Sequence, residues 1–134
     1  MPPMPGPVDL VDLARASGGY DPSAFLFIGE GLRHAARRSG KDAATSDEAR
    51  HLSAGELVEG VLDLATDRFG LMADMVLRSW GLIRSEDVGR VTFLLIEHGI
   101  FSKQPNDRLD DFAGGPDFSA AIRARFQRRL GVVP

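Results

Sequence analysis

Glycine residues divide this chain into short stretches in which apolar residues recur at helical spacing. Glycine is favoured just past the end of a helix and costs about 1 kcal/mol inside one. The breaks fall at Gly18-Gly19, Gly40, Gly70, Gly81, Gly99 and Gly114-Gly115. These glycine positions predict a mainly α fold of five or six short helices.

Helix start signals precede three of the stretches. Asp or Ser accepts hydrogen bonds from the first free amides of a helix, and Glu three residues later returns one in a capping box. The signals are the N-cap and proline Asp21-Pro22, the capping box of Ser53 and Glu56, and the N-cap Ser85 followed by Glu86 and Asp87. They predict helices over 22–38, 54–69 and 86–98.

The remaining segments complete one domain, which the length of 134 residues fits. Shorter helices are predicted from Val8 to the break at Gly18-Gly19, over 71–79 with Met72, Met75, Val76 and Trp80 on its apolar side, and from 117 onward. Residues 1–6 are predicted to be a loose leader, and 7–134 a single helical domain. Residues 40–50 are predicted to be a loop. Residues 100–112 are predicted to form a short hairpin or an extended arm.

The composition excludes several classes of protein. The chain has no cysteine, so it has no disulfide framework, thiolate metal site or thiol chemistry. Its longest apolar runs are a few residues, too short to cross a bilayer. The N-terminal MPPMPGPVDL lacks the charged and apolar regions of a secretory signal. We therefore expect a cytoplasmic protein that does not bind membranes.

Residues 51–112 resemble a known family. The stretch HLSAGELVEG resembles the family's H-x-S-G-x-E-L-L-E-G opening, and further matching phrases are Phe69-Gly70, Trp80-Gly81, SEDVGRVTFLL over 85–95, GIFSK over 99–103 and LDDF over 109–112. Val88 replaces the family's aromatic residue before Gly89, and Leu82 is an added residue beside Trp80-Gly81. The family is a small uncharacterised one, first described as restricted to Verrucomicrobia and Planctomycetes. The resemblance implies a cytoplasmic bacterial protein and implies no activity.

The residues themselves show no constellation for catalysis or metal binding. His34, His51 and His98 lie on different predicted elements without ligand spacing. The acidic stretch around Asp107, Asp110 and Asp111 lacks the glycine and glutamate of a calcium loop. We therefore predict no metal, no cofactor and no enzymatic activity.

The carboxylates of the 54–69 helix are interpreted in the same way. Glu59, Asp63 and Asp67 follow one line opposite the apolar stripe, which is the ordinary solvated face of an amphipathic helix. Glu56 is explained by the capping box.

Trp80 has two interpretations. A lone Trp beside Gly81 serves either as a core residue or as a stacking platform for a ligand. The core interpretation is favoured, with Trp80 anchoring the 71–79 and 86–98 helices together.

The order of elements after residue 70 is also that of a winged helix-turn-helix. A DNA-binding protein needs basic residues on the second helix and on the wing, because phosphate contacts supply most of the affinity. Most charged residues of the 85–112 segment are instead acidic. The arginines cluster near the ends of two other helices. Charge therefore opposes DNA binding through the second helix.

The leading hypothesis is a small non-enzymatic interaction or adaptor protein. Its predicted partner surface consists of Glu86, Asp87, Glu97, Ile100, Phe101, Asp107, Asp110 and Asp111. The alternative is a nucleic-acid-binding regulator that uses the winged-helix-like element together with Arg33, Arg37, Arg38, Arg123, Arg125, Arg128 and Arg129. Phe112 is expected in the core.

Overall fold

The computed structural model describes residues 7–41, 52–101 and 108–131. These residues contain six α-helices, and none of them lies in a β-strand. The helices are α1 (Pro7–Ser17), α2 (Pro22–Arg38), α3 (Ala54–Phe69), α4 (Ala73–Ser79), α5 (Ser85–Glu97) and α6 (Phe118–Arg129), with 3-10 turns at Gly70–Met72 and Leu109–Phe112. The prediction of a mainly α fold is confirmed.

The predicted glycine breaks end helices by adopting positive φ. The glycines concerned are Gly18, Gly40, Gly70, Gly81, Gly99 and Gly114, with φ between 57° and 91°. Glycine is needed most at Gly81, where φ is 91° and an added Cβ would lie 2.4 Å from the carbonyl oxygen of Gly19. Gly81 thus joins the end of α4 to the connection between α1 and α2.

Helices α2 and α3 pack antiparallel at very short range. Small residues face each other across the contact: a Cβ added at Gly60 would lie 2.4 Å from Ala35 Cβ, and one added at Gly31 would lie 2.6 Å from a Val61 methyl. With no side chain between them, the two backbones approach closely. This contact sets which side chains of α2 and α3 meet on either side of it.

A single hydrophobic cluster joins all six helices. Its members include Leu13 of α1, Ile28 of α2, Leu62 of α3, Leu77 of α4, Val91 of α5 and Ile122 of α6. Phe112, 7% exposed, is also part of this core, as predicted. Among the described residues, no helix combines the length and apolar character that a membrane span requires.

The capping box at the start of α3 is confirmed. The Glu56 amide donates to Ser53 Oγ at 3.0 Å, and the Ser53 amide donates to Glu56 Oε1 at 2.9 Å. Asp21 also caps α2 as predicted, by accepting from the Ser23 amide at 2.9 Å.

Ser53→Ala should lower the free energy of unfolding by about 1 kcal/mol, because the Glu56 amide loses its acceptor. Ser53→Asn retains an acceptor and should stay close to the parent chain. Urea denaturation followed by circular dichroism measures both variants. Equal losses in the two would show that the side-chain acceptor is not what stabilises this helix start.

Ser85 is not the N-cap that the sequence predicts. It is the first residue of α5 and is 1% exposed. Its hydroxyl donates to the Phe112 carbonyl at 2.6 Å and accepts from the Gly115 amide at 3.1 Å. The serine therefore ties the 112–115 segment to the start of α5, and Asp87 takes over the capping by accepting from the Ile83 and Arg84 amides, each at 3.0 Å.

The predicted hairpin over 100–112 is only partly described, since residues 102–107 lie outside the described ranges. Its described end is a 3-10 turn at Leu109–Phe112, not a strand. Phe112 packs closely over Gly89 of α5, where an added Cβ would meet its ring at 2.6 Å. The turn thus covers α5. The predicted leader, residues 1–6, and most of the predicted 40–50 loop also lie outside the described residues.

Candidate functional site

The most concentrated group of charged side chains lies along α3, between α2 and α6. We call it the ion cluster, and it consists of Glu59, Asp63 and Asp67 of α3, His34 and Arg38 of α2, and Arg125 and Arg129 of α6. Residues four apart on a helix share a face. The acidic line of α3 therefore meets the 34/38 pair on one side and the 125/129 pair on the other.

Asp63 is the centre of the ion cluster. His34 Nε2 lies 2.8 Å from Asp63 Oδ2, and Arg129 Nη2 donates to Asp63 Oδ1 at 2.7 Å. Arg38 Nε is 3.8 Å from the same carboxylate. Arg125 Nε lies 3.9 Å from it, so four basic side chains from two helices converge on one carboxylate.

Arg125 is the buried member of the ion cluster, 8% exposed. It donates to Glu59 and also to the Ala121 carbonyl, at 3.4 Å in the latter case. Arg129 extends the pairing to Asp67 at 2.5 Å. A buried cation needs such partners, because an unpaired charge in the interior costs several kcal/mol.

The surroundings shift two pKa values within the ion cluster. Burial acts to raise the pKa of Asp63, but the hydrogen bond from His34 and the charges of Arg38 and Arg129 outweigh it and lower this pKa. Burial is the main cause that lowers the pKa of Arg125, and the positive charges of Arg38, Arg128 and Arg129 lower it further. Asp63 is therefore stabilised in its charged form. Arg125 is instead repelled by the neighbouring arginines.

The geometry of a metal site is present in part. One ligand atom from each of His34, Asp63 and Asp67 lies within 4.8 Å of the others. Arg129, however, already pairs with both carboxylates. A cation would have to displace that guanidinium, so the cluster is better suited to joining three helices than to holding a metal.

The expectation of a solvated acidic face on α3 was wrong for Asp63, while the side chains of Glu59 and Asp67 are 46% and 50% exposed. Asp63 is only 21% exposed at its side chain and lies between two helices. His34 was correctly placed on a different element from His98, but its contact with α3 was missed. A signal was available in the matching i, i+4 spacing of His34 and Arg38, of Asp63 and Asp67, and of Arg125 and Arg129.

The predicted arginine contacts separate into two groups. Arg38, Arg125 and Arg129 belong to the ion cluster, and the burial of Arg125 contradicts its prediction as a nucleic-acid contact. The other four are exposed and form no ion pair within the described ranges: Arg33, Arg37, Arg123 and Arg128.

The predicted partner surface over 85–112 is partly contradicted. Asp87 is 7% exposed, accepts from Tyr20 Oη at 2.7 Å and caps α5, so it is a structural residue. Burial and the hydrogen bond to Asp87 raise the pKa of Tyr20. Glu86 is half-buried and Glu97 is exposed.

The predicted apolar anchor of that surface packs inward. Ile100 and Phe101 are half-buried against the core, and the Phe101 ring lies 3.6 Å from the position of a Cβ at Gly29. Asp110 and Asp111 are exposed as predicted, while Asp107 lies outside the described residues. Within the described residues the surface is therefore acidic, and its exposed large apolar side chain is Leu109, 46% exposed, instead of Ile100 or Phe101.

Exposed apolar residues lie together at the start of α4, in what we call the apolar patch: Leu71, Met72 and Met75, which are 57%, 60% and 65% exposed. Leu71 and Met75 are one turn apart. The predicted apolar side of the 71–79 helix was wrong for Met72 and Met75, because Ala73 and Leu77 occupy the core instead, while Val76 and Trp80 are half-buried.

Trp80 has its ring contacts with elements other than the predicted 86–98 helix. It is half-buried, with its ring centre 5.4 Å from that of Phe27 and 6.0 Å from that of Phe69. These contacts join the end of α4 to α2 and to the end of α3. Trp80 also lines a shallow groove of about 540 Å³, together with Tyr20 and Arg15.

Acid should weaken the fold through carboxylates whose pKa values are lowered. Two hydrogen bonds lower the pKa of Glu56 to about 2: the larger effect comes from the Lys41 side chain and the smaller from the Ser53 amide. A carboxylate with a lowered folded pKa stabilises the fold above its unfolded pKa, and this stability is lost as the pH falls towards the folded value. Thermal melts between pH 5 and pH 2 should show this loss, and Glu56→Gln should make its pH dependence shallower.

The exposed Glu97, which forms no ion pair in the described part of the chain, provides the control for this experiment. Glu97→Gln should retain the parent slope. Identical slopes in Glu56→Gln and the parent chain would contradict the assignment of the acid sensitivity to Glu56.

No protein-family model, curated protein or solved structure matches this chain.

Proposed function

We propose that this protein is a non-enzymatic interaction protein that binds another protein through the apolar patch. The proposal rests on the exposure of Leu71, Met72 and Met75. Each of these side chains is more than half exposed, and the three lie within about one helical turn. Contiguous exposed apolar surface marks interaction sites, and methionine adapts well to a partner's shape.

The charges beside the apolar patch are paired with one another. Arg68 pairs with Glu30, and Arg78 pairs with Asp74 at 3.1 Å. The border is therefore close to electrically balanced. Such a surface favours a partner with an apolar, weakly charged contact face, such as the apolar side of a helix.

A non-enzymatic role is supported by the way the carboxylates of α3 are used. Glu59, Asp63 and Asp67 each pair with an arginine of α6. Carboxylates that act in catalysis need pKa values set apart for acid and base roles. The resemblance of residues 51–112 to the family from Verrucomicrobia and Planctomycetes is part of this proposal, and it implies a partner in the bacterial cytoplasm.

Site-specific photocrosslinking in the native cell tests the proposal. Benzoylphenylalanine at position 71 should give one discrete covalent adduct with another protein. The same group at Gln127, an exposed position on α6, should give none. Adding Met75→Asp to the position-71 variant should reduce the adduct at least about tenfold, the effect of losing a central apolar anchor.

Gln127→Asp provides the matched control for the added charge and should leave the adduct unchanged. Thermal melts should show both aspartate variants folded, because Met75 is 65% exposed. Equal labelling from positions 71 and 127, or an adduct that persists with Met75→Asp, would reject the apolar patch as the binding surface.

A further inference from the structure

The second halves of α2 and α6 carry more positive charge than the nearby carboxylates neutralise among the residues that the structure describes. Three arginines are matched by the three carboxylates of α3 within the ion cluster. Arg33, Arg37 and Arg128 remain exposed and form no ion pair with any residue that the structure describes. Counted over the described residues, three positive charges on these two helices are therefore in excess of the cluster that is already paired.

Arginines from the two helices meet at Asp63. Arg38 and Arg129 reach the same Asp63 carboxylate, at 3.8 Å and 2.7 Å, so their guanidinium groups are neighbours. Arg37 and Arg128 directly precede them in the chain and lie about 100° from them around their helices. Arg128 is close enough to the ion cluster for its charge to act on Arg125.

We propose that this basic surface, formed by Arg33, Arg37, Arg38, Arg128 and Arg129, binds the phosphate backbone of nucleic acids without reading their sequence. Guanidinium groups pair with phosphates through two parallel hydrogen bonds, and binding several phosphates releases counterions. The proposal is independent of the apolar patch.

The surroundings favour a nucleic acid over an acidic protein. Protein interfaces depend on central apolar anchors, whereas phosphate contacts dominate nucleic-acid affinity. Leu26, 56% exposed, lies on α2 about two turns before Arg33. Leu130 is the one large apolar side chain next to the arginines of α6 that is more than half exposed in the described part of the chain.

Fluorescence anisotropy with a labelled 20-nucleotide RNA and a labelled 20-base-pair DNA of unrelated sequence tests the proposal. Because about four phosphates are contacted, affinity for the duplex should fall about 100-fold between 50 and 200 mM salt. The triple variant R33Q/R37Q/R128Q should bind about tenfold or more weakly, and its salt slope should fall by about one for each contact removed.

The variant R15Q/R84Q/R123Q removes the same charge from exposed arginines elsewhere. Arg123 is on α6 but two residues before Arg125, and therefore on the opposite face. This variant should retain parental affinity and slope, and melts should show both triple variants folded.

Three results would overturn the proposal. They are no salt-dependent binding of either nucleic acid, equal weakening by the two triple variants, and binding of polyglutamate as tightly as of RNA. The last would identify the basic surface as a site for an acidic protein.

Discussion

Replacing Gly60 by valine should unfold or severely destabilise the protein, with a loss of at least about 3 kcal/mol. Even the first added carbon would lie 2.4 Å from Ala35 Cβ and 2.7 Å from Ala35 Cα. Backbone atoms cannot rotate away, so α2 and α3 would have to separate. That separation would open the core around Ile28 and Leu62, both fully buried.

Gly60→Ala separates this steric effect from helix propensity. Alanine in a helix is favoured over glycine by about 1 kcal/mol, so the variant gains in propensity while it clashes. Gly55→Ala on the same helix is the matched control, because its Cβ would meet only Ser53 Oγ at 3.9 Å. Urea denaturation should show Gly60→Ala destabilised and Gly55→Ala neutral or more stable. Equal stabilities for the two would contradict the close contact.

Trp80→Ala should lower the free energy of unfolding by about 3 kcal/mol, the lower end of the range for removing a large core aromatic. The indole is half-buried and loses its contacts with Phe27 and Phe69. Each aromatic pair contributes about 0.5–1.5 kcal/mol beyond the area it buries. Chemical denaturation followed by circular dichroism measures the loss without depending on the fluorescence of the residue removed.

Trp80→Phe preserves most of the aromatic packing and should cost about 1 kcal/mol. An alanine variant as stable as the parent chain would contradict the structural role of Trp80. It would instead favour a stacking role in the groove that Trp80 shares with Tyr20 and Arg15.

The helices were predictable because their signals are local. A capping box involves residues three apart, and a glycine with positive φ acts on the helix that it directly follows. Ser53, Gly70 and Gly81 therefore marked element ends correctly from the sequence alone. The bounds of α2 and α3 also match those predicted.

The candidate surfaces were less predictable because they depend on contacts between distant segments. Ser85 carries the signature of an N-cap, yet its partners are Phe112 and Gly115, about 30 residues later. Met72 and Met75 fit an apolar stripe as well as Ala73 and Leu77 do, and only the docking of α4 decides which pair is buried. Spacing within one helix cannot show what a neighbouring helix places opposite it.

The close contact between α2 and α3 also limits how this chain can change its length. Gly31 opposite Val61, Ala35 opposite Gly60 and His34 opposite Asp63 belong to the same pair of helices, so one register governs the packing and the charges together. An insertion of one residue between Gly31 and Ala35 would turn the rest of α2 by about 100°. We therefore expect insertions and deletions to be tolerated only in the connections between helices, and the paired segments of α2 and α3 to accept substitutions alone.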